Sequence, residues 1–143
     1  MIYNIIFTSS LSLAVNTLSG IVQGTTTTLN VIYNLLSSTK SYNNYEKELK
    51  DLDIELKLTI FLNWLNNPKN LDNRSDNFVL LYNNINNICM EIQNTLDKIK
   101  QEISYHNTKY FSYWRTLNIN DMIESIKKNL DLIYNRILLL NLS

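Results

Sequence analysis

Residues 78–103 read FVLLYNNINNICMEIQNTLDKIKQEI. Apolar side chains recur at Phe78, Leu81, Ile85, Ile88, Ile92, Leu96, Ile99 and Ile103, in steps of three and four. An α-helix turns once in 3.6 residues, so these steps put every one of them on a single face. The Asn, Gln, Lys and Glu residues between them fall on the other side. Ser75 or Asp76 is placed to cap the start.

The same stepping appears on both sides of this segment. Upstream, Leu11, Val15, Leu18, Val22, Leu29, Ile32 and Leu36 share one face, with Thr25 filling the single gap. Thr25 to Thr28 are weak helix formers, each costing about 0.5 kcal/mol against Ala. Burial of so long a stripe outweighs that cost. A second helix is expected from Tyr45 to about Leu65, with the stripe Tyr45, Leu49, Leu52, Leu56 and Ile60, widened at its end by Leu58, Phe61, Leu62 and Leu65. Its acids and lysines alternate, as on a solvated flank. Pro68 marks a break, and residues 66–75 read as the longest loop. Downstream, Tyr105, Tyr110, Phe111, Tyr113 and Trp114 form an aromatic cluster in a bend or short extra helix. Asn118 or Asn120 then caps a last helix with the stripe Ile119, Ile123, Ile126, Leu130, Ile133, Ile137 and Leu140.

Segments with one apolar face each must cover one another. The expected fold is all-α: an antiparallel four-helix bundle with a short extra helix or bend before the last helix, in a single domain over 1–143. Composition agrees. The chain has 143 residues, and its two Gly and one Pro are too few for the turns of a β-rich fold. Asn, Ile, Leu and Tyr are common; Asn, Ile, Lys and Tyr use AT-rich codons, so the bias points to a protist, a large DNA virus or an AT-rich bacterium.

Chemistry is sparse. Thirteen basic and thirteen acidic residues cancel, so the electrostatic footprint of a nucleic-acid binder is missing. One Cys and one His cannot build a zinc cage or an intramolecular disulfide. Cys89 lies beside the apolar seam and reads as a small buried hydrophobe; His106 reads as structural. Asp121 and Glu124 suit the positive end of the last helix. No phosphate loop and no Glu-x-x-His pair occurs. The expectation is therefore a non-enzyme with no cofactor and no metal.

Two features stand apart from this plain reading. No charged residue precedes Lys40, and this uncharged stretch holds Gly20 and Gly24, four residues apart, with Ser10 and Ala14 before them. Small residues at that spacing allow helix backbones to approach, within the bundle or between chains. The start, Met1 to Phe7, is apolar, but no unbroken apolar run reaches the roughly 20 residues of a spanning helix. A cytoplasmic protein is expected, with conditional membrane association on activation. Trp64, Trp114 and the tyrosines either fill the bundle ends or form an exposed surface.

The order of small and apolar motifs resembles the HeLo-like domains, helical bundles at the N-terminus of many fungal NOD-like receptors. These are related to the four-helix bundle of the mixed-lineage kinase-like pseudokinase. The residues that carry the resemblance are Ser10 to Val15, Gly20-Ile21-Val22, Leu35-Leu36-Ser37-Ser38, Leu49 to Leu56, and Trp114-Arg115 before the helix Ile123 to Leu140. It implies a cell-death module that self-associates and perturbs membranes through its first helix. Leu11, Val15, Leu18, Gly20 and Gly24 are then the interaction and membrane candidates. The expected partner is a protein, including a second copy of the chain. Because Ser143 directly follows the last helix, a free-standing effector, the partner of a separate sensor, or a decoy or inhibitor of a host pathway is expected. The alternative is a structural or assembly protein such as a minor virion component.

Overall fold

The computed structural model describes the backbone of residues 2–37, 43–66, 76–108 and 116–142, and the side chains of 17–37, 44–66, 79–107 and 116–139. Among the described residues all regular structure is helical. The helices are α1 (Ile2–Ser37), α2 (Asn43–Asp51), α3 (Ile54–Leu65), α4 (Asp76–Thr108) and α5 (Asn120–Leu142). At 1.5 Å per residue, α1 and α4, with 36 and 33 residues, are each about 50 Å long.

These two long helices make the broadest contact in the molecule. α5 lies against α4, while α2 and α3 lie against α1. The stripes read from the sequence form the core. Leu18, Val22, Leu29, Ile32 and Leu36 of α1 are buried, as are Ile85, Ile88, Ile92, Leu96, Ile99 and Ile103 of α4. α5 contributes Ile123, Ile126, Leu130, Ile133 and Ile137. Cys89 is buried in this seam, as its position suggested. Thr25, the gap in the α1 stripe, is fully buried, and its hydroxyl has no hydrogen-bond partner among the described residues.

Two polar rungs fix the direction of the central pair. Gly24 of α1 faces the Gln93 side chain of α4, and one turn further along both helices Thr28 Oγ1 donates to Asp97 Oδ1 at 3.4 Å. Both positions advance together, so α1 and α4 run parallel. α5 runs the other way: Arg136, near its end, donates from Nε to Asn84 Oδ1, near the start of α4, at 2.9 Å. At the common end, the Tyr45 hydroxyl donates to the Leu117 carbonyl at 2.8 Å and ties the start of α2 to the approach to α5. The Asn118 side chain accepts from the Asn120 N–H at 3.2 Å just before the last helix, and the Ile119 carbonyl accepts from the Ile123 N–H at 3.0 Å.

The second segment departs from expectation. It is not one helix from Tyr45 to Leu65 but two, broken at Leu52 and Asp53. Asp53 has φ 50° and ψ 44°, in the left-handed region. The physical reason is a change of phase. Leu49 and Leu52 lie on one side of a straight helix, and Ile54, Leu58 and Leu65 on the opposite side. The break lets Leu49, Ile54, Leu58 and Leu65 all be buried. Leu56 and Ile60, expected in the stripe, are instead 57% and 54% exposed.

Several sequence readings lie outside the described residues: most of the loop, residues 67–75, including Pro68 and the candidate cap Ser75, and the bend or extra helix with Tyr110, Phe111, Tyr113 and Trp114. The side chains of Leu11, Val15, Phe78 and Leu140 lie outside them too.

The α1–α4 seam should dominate stability. Leu96→Ala, at a fully buried position, is expected to cost about 2–5 kcal/mol. Leu56→Ala, at an exposed one, should stay within about 0.5 kcal/mol. Urea unfolding of the two variants checks this contrast.

Candidate functional site

The break between α2 and α3 creates a groove against α1. It has a volume of about 500 Å³ and is lined by Tyr33, Lys50, Asp53, Ile54, Glu55, Leu56 and Thr59. Tyr33 comes from the flank of the α1 stripe, one position past buried Ile32. Lys50 comes from the last turn of α2, where a cation suits the helix dipole. Asp53 sits at the break itself, and Glu55 lies in the first turn of α3.

Charge is organised around the Tyr33 ring. The Lys50 ammonium lies 5.4 Å from the ring centroid and pairs with Glu46 Oε1 at 2.8 Å. That geometry is a cation–π contact combined with an i,i+4 ion pair. The Tyr33 phenol is held above its ordinary pKa, first by burial, then by the nearby carboxylates of Glu55, Asp53 and Glu46. The groove thus joins an aromatic face, an ion-paired cation, a rim of carboxylates and the exposed apolar side chain of Leu56. A nucleophile paired with a base is not among its lining residues.

Two further side chains are shifted by burial. Burial pushes the Cys89 thiol up to about 12, so it stays protonated at neutral pH and is a poor nucleophile. Burial also raises Tyr82. Among the described residues no group of three or more His, Cys, Asp or Glu side chains is placed to hold a metal ion.

Of the residues singled out in the sequence, Leu18 is buried in the core, facing inward rather than outward. Gly20 is exposed, with open space where a Cβ would stand, so it serves no close approach among the described residues. Gly24 does: a Cβ there would strike the Gln93 amide. Leu11 and Val15 belong to the α1 backbone, but their side chains lie outside the described residues. Of the three candidates whose surroundings are described, Leu18 and Gly24 face neighbouring helices and Gly20 faces open space. Tyr33, Lys50 and Asp53, which do meet, were not singled out. The usable signal was the phase change from Leu49/Leu52 to Ile54/Leu58/Leu65, which demands a break at Asp53.

No known protein family matches the chain, and no solved structure does. A stretch of 45 residues, 32% of the chain, is 38% identical to part of an uncharacterized protein of Acanthamoeba polyphaga mimivirus. The match spans 22% of that protein's length. No helix among the described residues is long and apolar enough to cross a membrane.

The electrostatics of the groove can be tested on Tyr33. In NMR titrations of tyrosine-labelled protein, Glu55→Gln is expected to move Tyr33 down toward the ordinary 10.0. Because its folded-state pKa is the higher one, Tyr33 contributes stability fully below pH 10, and that contribution fades as pH rises through the folded value. An unchanged titration in Glu55→Gln would remove Glu55 from the site.

Proposed function

We propose that the chain is a non-enzymatic protein-interaction module built as an antiparallel four-helix bundle. α1 and α4 run one way, the bent α2–α3 arm and α5 the other. It works by docking other proteins, including a second copy of itself, at the face formed by Leu56, Ile60 and the adjoining groove. The observation that carries this reading is the pair of large aliphatic side chains, one turn apart on α3 and each more than half exposed, beside a groove with a charged rim. Apolar surface next to a polar rim is what interfaces use. The resemblance to HeLo-like modules supports self-association in the cytoplasm. It also supports a membrane step in which α1, uncharged throughout, leaves the core on activation.

A second reading, a structural or assembly protein such as a minor virion component, is supported by the stretch shared with a giant-virus protein and by the AT-rich residue usage. Protein inventories of purified particles decide it: presence there favours this reading and absence dismisses it.

Light scattering after gel filtration tests self-association. Wild type is expected above monomer mass, and Leu56→Glu with Ile60→Glu should return it to monomer without altering thermal unfolding. A wild type that is monomeric at all micromolar concentrations contradicts self-docking. Dye-loaded liposomes test the membrane step. Leakage that persists unaltered in folded Leu18→Glu and Gly20→Leu variants, or no leakage by wild type, removes α1 from that role.

A further inference from the structure

The α2–α3 arm carries two apolar stripes on opposite sides. On a straight helix, Tyr45, Leu49, Leu52, Leu56 and Ile60 share one face, and Ile54, Leu58, Phe61 and Leu65 share the other, half a turn away. The bend at Asp53 brings the first half of one stripe and the whole of the other against the core, and leaves Leu56 and Ile60 outside. We propose that Leu52–Asp53 is a two-state hinge. In the bent state seen here Ile54 and Leu58 face the core. In the straight state α2 runs on into α3, Leu56 and Ile60 fall in line with Leu49 and Leu52, and Ile54, Leu58 and Phe61 turn outward.

Three local features support a hinge. Asp53 is the one non-glycine residue with positive φ among the described residues, and an L-residue gives up a steric preference to stay there. Its side chain makes no capping hydrogen bond to α3, so no local cap holds the bend in place. The bend is also closed by short-range bonds, from the Leu52 N–H to the Leu49 carbonyl at 3.2 Å and from the Asp53 N–H to the Lys50 carbonyl at 3.1 Å. These i→i−3 bonds exchange for the i→i−4 bonds of a continuous helix without leaving either donor unpaired. A single residue moving from the left-handed to the right-handed helical region therefore connects the two states.

The straight state supplies an apolar face, Ile54, Leu58 and Phe61, that the bent state hides. A second copy docking on Leu56 and Ile60 instead binds the bent state only, and so the hinge gates self-association. That use rests on the interaction reading above; the hinge itself does not, and distances within one chain test it alone.

The test uses the full chain in a Cys89→Ala background, with spin labels at Lys47→Cys and Asn63→Cys, both exposed positions. Sixteen residues of straight helix separate their backbones by about 24 Å, and a bend between them shortens that distance. Asp53→Gly, which accepts positive φ freely, is expected to keep the shorter distance. Asp53→Leu and Asp53→Ala, which favour the right-handed region, should shift the main population to the longer one. Adding Leu56→Ser with Ile60→Ser to Asp53→Ala should restore the shorter distance, since these side chains are exposed in the bent state but needed in the straight one. Identical distances in the Gly and Ala variants overturn the hinge, whether or not Asp53→Leu folds. A longer distance that survives the double serine change also overturns it, since Leu56 and Ile60 would then not hold the straight state. Light scattering on the same variants reports association separately.

Discussion

Everything in the molecule depends on the dry seam between α1 and α4. From Leu18 to Leu36 on one helix and from Ile85 to Ile103 on the other, nearly every inward position is aliphatic and buried. Burial of each such side chain contributes about 1.5–3 kcal/mol, and one hydrogen bond to a carboxylate contributes about as much as a single one of them. The two polar rungs, Gly24 against Gln93 and Thr28 to Asp97, therefore set register and direction rather than strength. The buried Thr25 hydroxyl, in the middle of the seam, is a small cost that the aliphatic neighbours outweigh. α5 and the α2–α3 arm can only be added to the outer sides of this pair, and that is where they lie.

The arm shows what happens when a sequence carries more apolar faces than a core can take. Leu49, Ile54, Leu58 and Leu65 cannot all face inward from one straight helix, and the left-handed Asp53 reconciles them. The same residue sets the wall of the groove and brings carboxylates near Tyr33. Fold and candidate site thus share one origin: an irregular backbone position whose consequence is both a buried stripe and an exposed pair, Leu56 and Ile60.

This also explains what was legible in the sequence. α1, α4 and α5 each carry one stripe of constant phase, and the residues read from that phase are the buried ones, from Leu18 to Leu36, Ile85 to Ile103 and Ile119 to Ile137. The arm misled because Tyr45, Leu49, Leu52, Leu56 and Ile60 form an unbroken run that reads as a single helix. Spacing alone does not say which of two opposed faces a core selects. The groove was hidden for a related reason: Tyr33 and Asp53 are ordinary flank residues until a bend brings α1 and α3 together. Gly20 and Gly24 look equivalent in the sequence, yet among the described residues Gly24 meets a neighbouring helix and Gly20 faces open space.

Hydrogen exchange across the two long helices tests the central pairing most directly. If the seam holds the resting molecule together, the amides of residues 18–36 and 85–103 exchange last and at a common rate, since neither helix can open without exposing the other. Early exchange of residues 18–36 while 85–103 stay protected would contradict the account, because α4 would then be stable without α1.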